Sequence, residues 1–324
     1  MKKIVIVLAW LFFLISCSDK ENAINPEVNN ERIYILNNAG VSSRYFTNDA
    51  ITTLNGLSEG SYASGMFLSG NDVYVTGVIF ESNVPTAVYW KNGNLVQLSS
   101  AATATGIYVE GNDVYVCGVK GAAATYWKNG IATTLESNAF TSDITVKNEE
   151  VFVAGYTVNA AKYWKNGAPV QLESQNGGGA SSISLSGNDI YVGGAIKNEK
   201  GFMVAVYWKN GNLVRLSNGM NNAKTNDLYI NGGDLYAAGF DGSKAVYWKN
   251  GTVTALTDGN SPARINSIFV KDNDVYTAGY IYDPTGGCTS TAKYWKNKTA
   301  FTLPVININN HCVSGEAISI YAGN

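Results

Sequence analysis

Tyr89-Trp90-Lys91-Asn92-Gly93-Asn94-Leu95-Val96-Gln97-Leu98 decides the fold, because it is one of six copies of a single pattern. Tyr-Trp-Lys-Asn recurs with its tryptophan at Trp90, Trp127, Trp164, Trp208, Trp248 and Trp295, at intervals of 37 to 47 residues. Periods of that length belong to propeller blades or helical repeats. Each unit alternates Val, Ile, Tyr and Thr between Gly and Asn-Gly punctuation, which is the chemistry of strands and hairpins rather than helices. In residues 62–99 the pattern divides into strand a (Ala63 to Ser69), strand b (Asp72 to Val78), strand c (Thr86 to Lys91) and strand d (Asn94 to Leu98). Gly-Asn between a and b, and Asn-Gly between c and d, suit tight hairpin turns. Four antiparallel strands repeated around a ring predict an all-β propeller.

The blade count follows from a leucine eight residues after every tryptophan, from Leu98 and Leu135 through to Leu303. Phe46 and Leu54 keep that spacing, so Tyr45-Phe46-Thr47-Asn48 is a seventh, degenerate copy. Ile33-Tyr34-Ile35 before it reads as a strand b without a strand a, and Ala317 to Tyr321 supplies the missing strand at the other end of the chain. The expectation is a seven-bladed propeller of four-stranded blades over residues 31–324, closed by pairing N-terminal strands with the C-terminal strand. One tryptophan per blade on strand c is expected to pack between neighbouring sheets. The lysine beside it reads as a solvated turn residue, and the acid opening strand b as a turn cap.

Residues 1–16 read as a signal peptide, with Lys2 and Lys3 ahead of the apolar run Ile4 to Ile15. That run is too short to span a bilayer. Leu14-Ile15-Ser16-Cys17 resembles a bacterial lipobox, which implies lipidation of Cys17, a polar tether over residues 17–30 and an outer-membrane lipoprotein. Ser18-Asp19-Lys20-Glu21 resembles the charged stretch that sends some Bacteroidetes lipoproteins to the cell surface. Removing Lys2 and Lys3 from the 23 basic residues leaves 21 against 25 acidic ones, about −4, which attracts neither nucleic acid nor anionic lipid. The membrane contact is therefore expected through the lipid alone, and the propeller as a monomer.

From strand a to b the spacing is fixed at six, as in Leu68 to Tyr74, and from c to d at eight. All length variation falls in the b–c and d–a connections, which leave an up-and-down blade on the same side. One face is uniform and the other individual, and loops on a rigid scaffold are where binding concentrates. The longest b–c segments carry Phe80, Phe202, Tyr280 and Tyr282, the candidate binding residues. They would stack on a glycan or anchor a protein partner, or else cap the blade core. Cys288 and Cys312 fall on the same side, and an oxidising compartment favours their pairing as a disulfide. Cys117, at the end of a strand b, reads as a buried thiol.

Catalytic residues are scarce. Nucleophilic triads and most metal centres use histidine, and His311 stands alone. No metal, cofactor or phosphate-loop signature is present. The alternative to a binding module is an extracellular carbohydrate-active hydrolase or lyase using two loop carboxylates from Glu81, Glu136, Glu173, Glu199, Asp241, Asp258 and Asp283. The chain from about Asn30 resembles the Tyr-Trp-Lys-Asn-Gly repeat propellers of Bacteroidetes lipoproteins, on Tyr89-Trp90-Lys91-Asn92-Gly93, Gly70-Asn71-Asp72-Val73-Tyr74 and their copies. The resemblance implies a scaffold and transfers no catalytic residue.

Overall fold

The computed structural model describes residues 31–323, except 49, 55–59, 159, 175, 283–288, 305 and 309–310, and gives the backbone alone at 306–308 and 311–313. Cys17, the tether, Asp283 and Cys288 lie outside the described residues, as do the side chains of His311 and Cys312. Seven four-stranded antiparallel sheets form a seven-bladed propeller. Blades 2 to 7 each run a-b-c-d outward, from Ser61–Ser69 as strand a of blade 2 to Thr299–Thr302 as strand d of blade 7. Blade 1 takes strands b, c and d from Arg32–Ala39, Ser42–Phe46 and Ile51–Leu54, and strand a from Gly315–Gly323. The ring therefore closes by pairing the two ends of the chain. A short hairpin, Ile306–Ile308 with His311–Val313, precedes the closing strand.

Asn92 and Gly93 show how the c–d turns are made: both have positive φ, +52° and +81°, as a two-residue hairpin twisting with its strands requires. The tryptophans pack between blades. Trp127 lies on Tyr74 and Ala87 of the preceding blade, Trp164 on Tyr115 and Cys117, and all six are 0–1% exposed. At 150–250 Å² of ring surface, each contributes about 4–6 kcal/mol of gross burial. Cys117 is a buried free thiol, pushed up to about 12 by burial.

The repeated lysine and acid of the uniform face are more than turn residues. Lys91 pairs with Asp72 at 2.8 Å and lies 5.2 Å over the Tyr74 ring, and the same arrangement recurs at Lys128–Asp113 and Lys209–Asp189. Asn92 ties the turn to strand b by donating to Asp72 and accepting from the Val73 amide. The acid thus serves its lysine and the turn asparagine together, which single-position reading as a cap misses.

Every strand a carries a β-bulge at its fourth residue. In blade 2, Ala63 and Gly65 pair with Gly77 and Thr76, leaving Ser64 out of register. In blades 2 to 7 the bulge presses the carbonyl two residues before it onto a glycine of strand b: a Cβ on Gly118 would lie 1.9 Å from the Thr103 carbonyl oxygen.

Candidate functional site: the bore and its rim

The seven strands a converge on the propeller axis and enclose a bore of about 310 Å³. Each enters from the variable face and leaves at the uniform face, so residue order along the strand is depth in the bore. At the level of the bulge, neighbouring blades are stitched together. Ser64 Oγ donates to Ala104 O at 2.7 Å, Asn226 Nδ2 to Ile265 O at 2.7 Å and Asn266 Nδ2 to Ala317 O at 2.9 Å. Blade 1 has Ile318 at this position, and Asn38 on strand b donates instead, to Ala63 O at 2.7 Å.

One residue deeper, side chains accept from the backbone of the next blade. Asp143 Oδ2 accepts from the Ile183 amide and Asp227 Oδ2 from the Ile268 amide, both at 2.9 Å. Ser182 lies between them, donating to Asp227 Oδ1 at 3.0 Å and accepting from the Leu228 amide at 3.2 Å. Burial pushes the Asp143 carboxyl up to about 7, against the amide bonds that favour its ionised form, and the field of Asp227 adds to the rise. Asp227 is raised too, first by burial. Both line the bore, which accounts for the exposure they retain.

Two residues deeper again, towards the uniform face, an arc of aromatic rings covers five consecutive blades. Tyr229–Phe269, Phe269–Tyr321, Tyr321–Phe67 and Phe67–Tyr108 follow one another with centroids 4.8, 5.3, 6.5 and 4.6 Å apart. Blades 4 and 5 interrupt it with Thr145 and Ser184. The Tyr321 hydroxyl is held far above the usual tyrosine range by burial, then by the fields of Asp227 and Asp143. Those two carboxyls and this ring therefore share one enclosure.

The sequence-predicted rim residues do not form one cluster. Phe80 belongs to strand b of blade 2, opposite Pro85, because the chain continues as a hairpin to a tight turn at Ser82 and Asn83 instead of opening into a loop. Phe202 lies on blade 5, where its amide donates to Asn198 Oδ1 at 2.9 Å. Tyr280 and Tyr282 are on strand b of blade 7, and Tyr282 and Phe80 are exposed. Tyr280 alone joins a wider group: burial raises its hydroxyl, Glu316 and Tyr62 add to the rise, and Arg264 opposes it. Arg264 itself lies 3.7 Å over Phe240 and donates to Gly242 O. Tyr62, Arg264 and Glu316 are all second residues of a strand a. They were missed because they sit on three blades and meet only at the mouth of the ring.

Several loop carboxylates are committed elsewhere. Glu136 pairs with Lys162 at 2.8 Å and accepts from Trp164 Nε1, Glu81 accepts from Gln97, and Asp258 holds Asn260. Among the described residues, no three side chains of metal-ligating type converge.

No family model matches the chain, and no curated protein does. Among solved structures it is similar to a puromycin-hydrolysing peptidase of Mycobacterium tuberculosis, at TM-score 0.54 and 9% identity over 81% of this chain and 49% of that one. It is also similar to a structure from a study of two prolyl endopeptidases, at TM-score 0.50 and 11% identity over 89% of this chain and 50% of that one. Citrobacter koseri AztD matches over 91% of this chain and 98% of its own, at 9% identity and TM-score 0.45. The chain spans about half the length of the peptidases, and at these identities the likeness is one of fold.

Proposed function

We propose that this protein is an extracytoplasmic binding module, anchored in the outer membrane by a lipid on Cys17 and recognising a glycan or protein at its variable face, over the bore. One observation carries the reading: the face that holds all the loop variation stands over a cavity with a level of hydroxyls, carboxamides and carboxylates and, deeper, an arc of aromatic rings. That pairing of π faces with polar groups is how small, directional ligands are held. The anchor is compatible with it. The described chain begins at Glu31, at the uniform-face end of strand b of blade 1, where Glu31 bonds Tyr276 Oη and lies 3.3 Å from Lys296 Nζ.

The test is a glycan-array and pull-down screen of the full chain against a variant with Phe80, Phe202, Tyr280 and Tyr282 changed to alanine. Binding that the wild type shows and the folded variant lacks supports the reading. Binding that survives the substitutions, or none to any glycan or envelope protein, overturns it.

A further inference from the structure

We propose that the bore is a site for a small organic cation, whose ammonium group sits between the aromatic arc and the carboxylates of Asp143 and Asp227. The inference rests on the binding-module reading for its biological use, while the site itself is open to test on the protein alone.

Three observations combine. First, the charge inside the bore is uncompensated. On the uniform face each carboxylate opening a strand b has its lysine at 2.8–2.9 Å. Asp143 and Asp227 form no ion pair with any described residue, and no lysine, arginine or histidine lines the cavity. A buried carboxylate without a counter-charge is costly, and a bound cation removes that cost.

Second, the carboxylates keep acceptor capacity. Asp143 receives two backbone amides, from Ile144 and Ile183, and Asp227 receives those of Leu228 and Ile268 with the Ser182 hydroxyl. A carboxylate offers about four lone-pair sites, so each has room for a further donor.

Third, the next level of the bore below the carboxylates is an arc of aromatic rings over five blades, with Phe269 and Tyr321 near its centre. Aromatic faces joined to carboxylates make the environment in which ammonium ligands are recognised. A bare metal ion would need several oxygens converging on one point, whereas these two carboxylates stand on blades 4 and 6 with Ser182 between them. The volume, near 310 Å³, lies at the small end of ligand cavities.

Calorimetric titration of the full chain with choline, glucosamine, N-acetylglucosamine and calcium chloride tests this. Glucosamine keeps its charge at neutral pH and its N-acetyl derivative does not. Choline and glucosamine are expected to bind, with N-acetylglucosamine on the order of tenfold weaker or more. Asp227→Asn should weaken both cations. Phe269→Leu, which leaves the backbone staples untouched and guards against misfolding of the first variant, should do the same with its near-ultraviolet circular dichroism preserved. Equal affinity for the charged and neutral sugars, calcium binding in place of the ammonium ligands, or unchanged choline binding by folded Phe269→Leu overturns the proposal. The rim variant separates the two readings. Choline binding with an empty glycan and protein screen removes the wider function and leaves the site; rim-dependent glycan binding with no choline uptake does the reverse.

Discussion

Blades 2 to 7 and the closing blade reach the same four-stranded plan by different means. In the six continuous blades, strand b carries a glycine opposite the bulge, from Gly77 to Gly279, and strand c an alanine against the next blade, from Ala87 to Ala292. Blade 1 has Asn37 in place of the glycine and Ser43 in place of the alanine. The Asn37 carboxamide, oriented to satisfy both its ends, donates to Glu316 O at 2.8 Å, so a side chain occupies the place where six other blades tolerate none. Ser43 Oγ bonds Asn38 Oδ1 at 2.7 Å and accepts from the Ala63 amide at 2.9 Å. Blade 1 thus uses directional hydrogen bonds on both sides, Asn37 to the closing strand and Ser43 with Asn38 to blade 2, at the positions where the other blades have glycine and a close apolar contact. A polar network defines one register and one partner, which suits a blade whose inner strand comes from the far end of the chain.

The comparison breaks first on Gly118→Ala. Its Cβ would collide with Thr103 O, so a loss of about 3 kcal/mol or more is expected in urea unfolding. Asn37→Gly, which gives the closing blade the same residue as the others, should cost only about 1–2 kcal/mol through one lost hydrogen bond and a looser backbone. Equal costs would mean that the bulge does not demand glycine.

Asn38→Val strands the Ala63 carbonyl in a buried joint and takes one partner from the Ser43 hydroxyl, and about 2 kcal/mol should be lost. Adding Ser43→Ala converts the joint to the apolar kind used elsewhere. The double variant is therefore expected to lose less than the two singles together, which a double-mutant cycle would read.

Acid should strengthen the continuous part of the ring. The fold holds the Asp143 proton up to about pH 7, whereas an unfolded aspartate releases it near 4. Across that window the folded state binds more protons, so stability falls as pH rises. Asp227 shifts in the same direction. The melting temperature is expected to rise between pH 7.5 and 5.5, and Asp143→Asn should flatten the rise. The closing blade has Ser319 at this position and adds no such term.

The smallest effect belongs to the clasp at Glu31. Glu31→Gln weakens its contacts with Tyr276, Lys296 and Lys271, and about 0.5–1 kcal/mol of stability should go, with less difference from wild type at 1 M salt.

The Tyr-Trp-Lys-Asn period, the leucine at Trp+8 and the unmatched strands at the two ends were enough to read seven blades and their closure, because each is a local spacing. The recurring glycine of strand b was equally visible at Gly77, Gly118 and Gly155, but its reason lies in a bulge on the neighbouring strand. The aromatic arc was hidden for a stronger reason. Phe67, Tyr108, Tyr229, Phe269 and Tyr321 are ordinary strand residues until the ring closes and brings them together across the axis. The rim residues Phe80, Phe202 and Tyr282 share a kind of connection and sit on different blades, as their spacing in the sequence already implied.

That blade 1 borrows its inner strand from the end of the chain also has a consequence for biosynthesis. Arg32–Ala39 emerges first, yet the strand it pairs with follows roughly 280 residues later. At translation rates of about 5–20 residues per second, the edge of strand b waits for tens of seconds. During that time Ile33-Tyr34-Ile35-Leu36 presents an open, apolar strand edge, the kind of surface on which nascent chains aggregate. The strand that covers it, Gly315–Gly323, is made after the other six blades, so a ribosome or export channel that stalls before it leaves those blades with an adhesive edge.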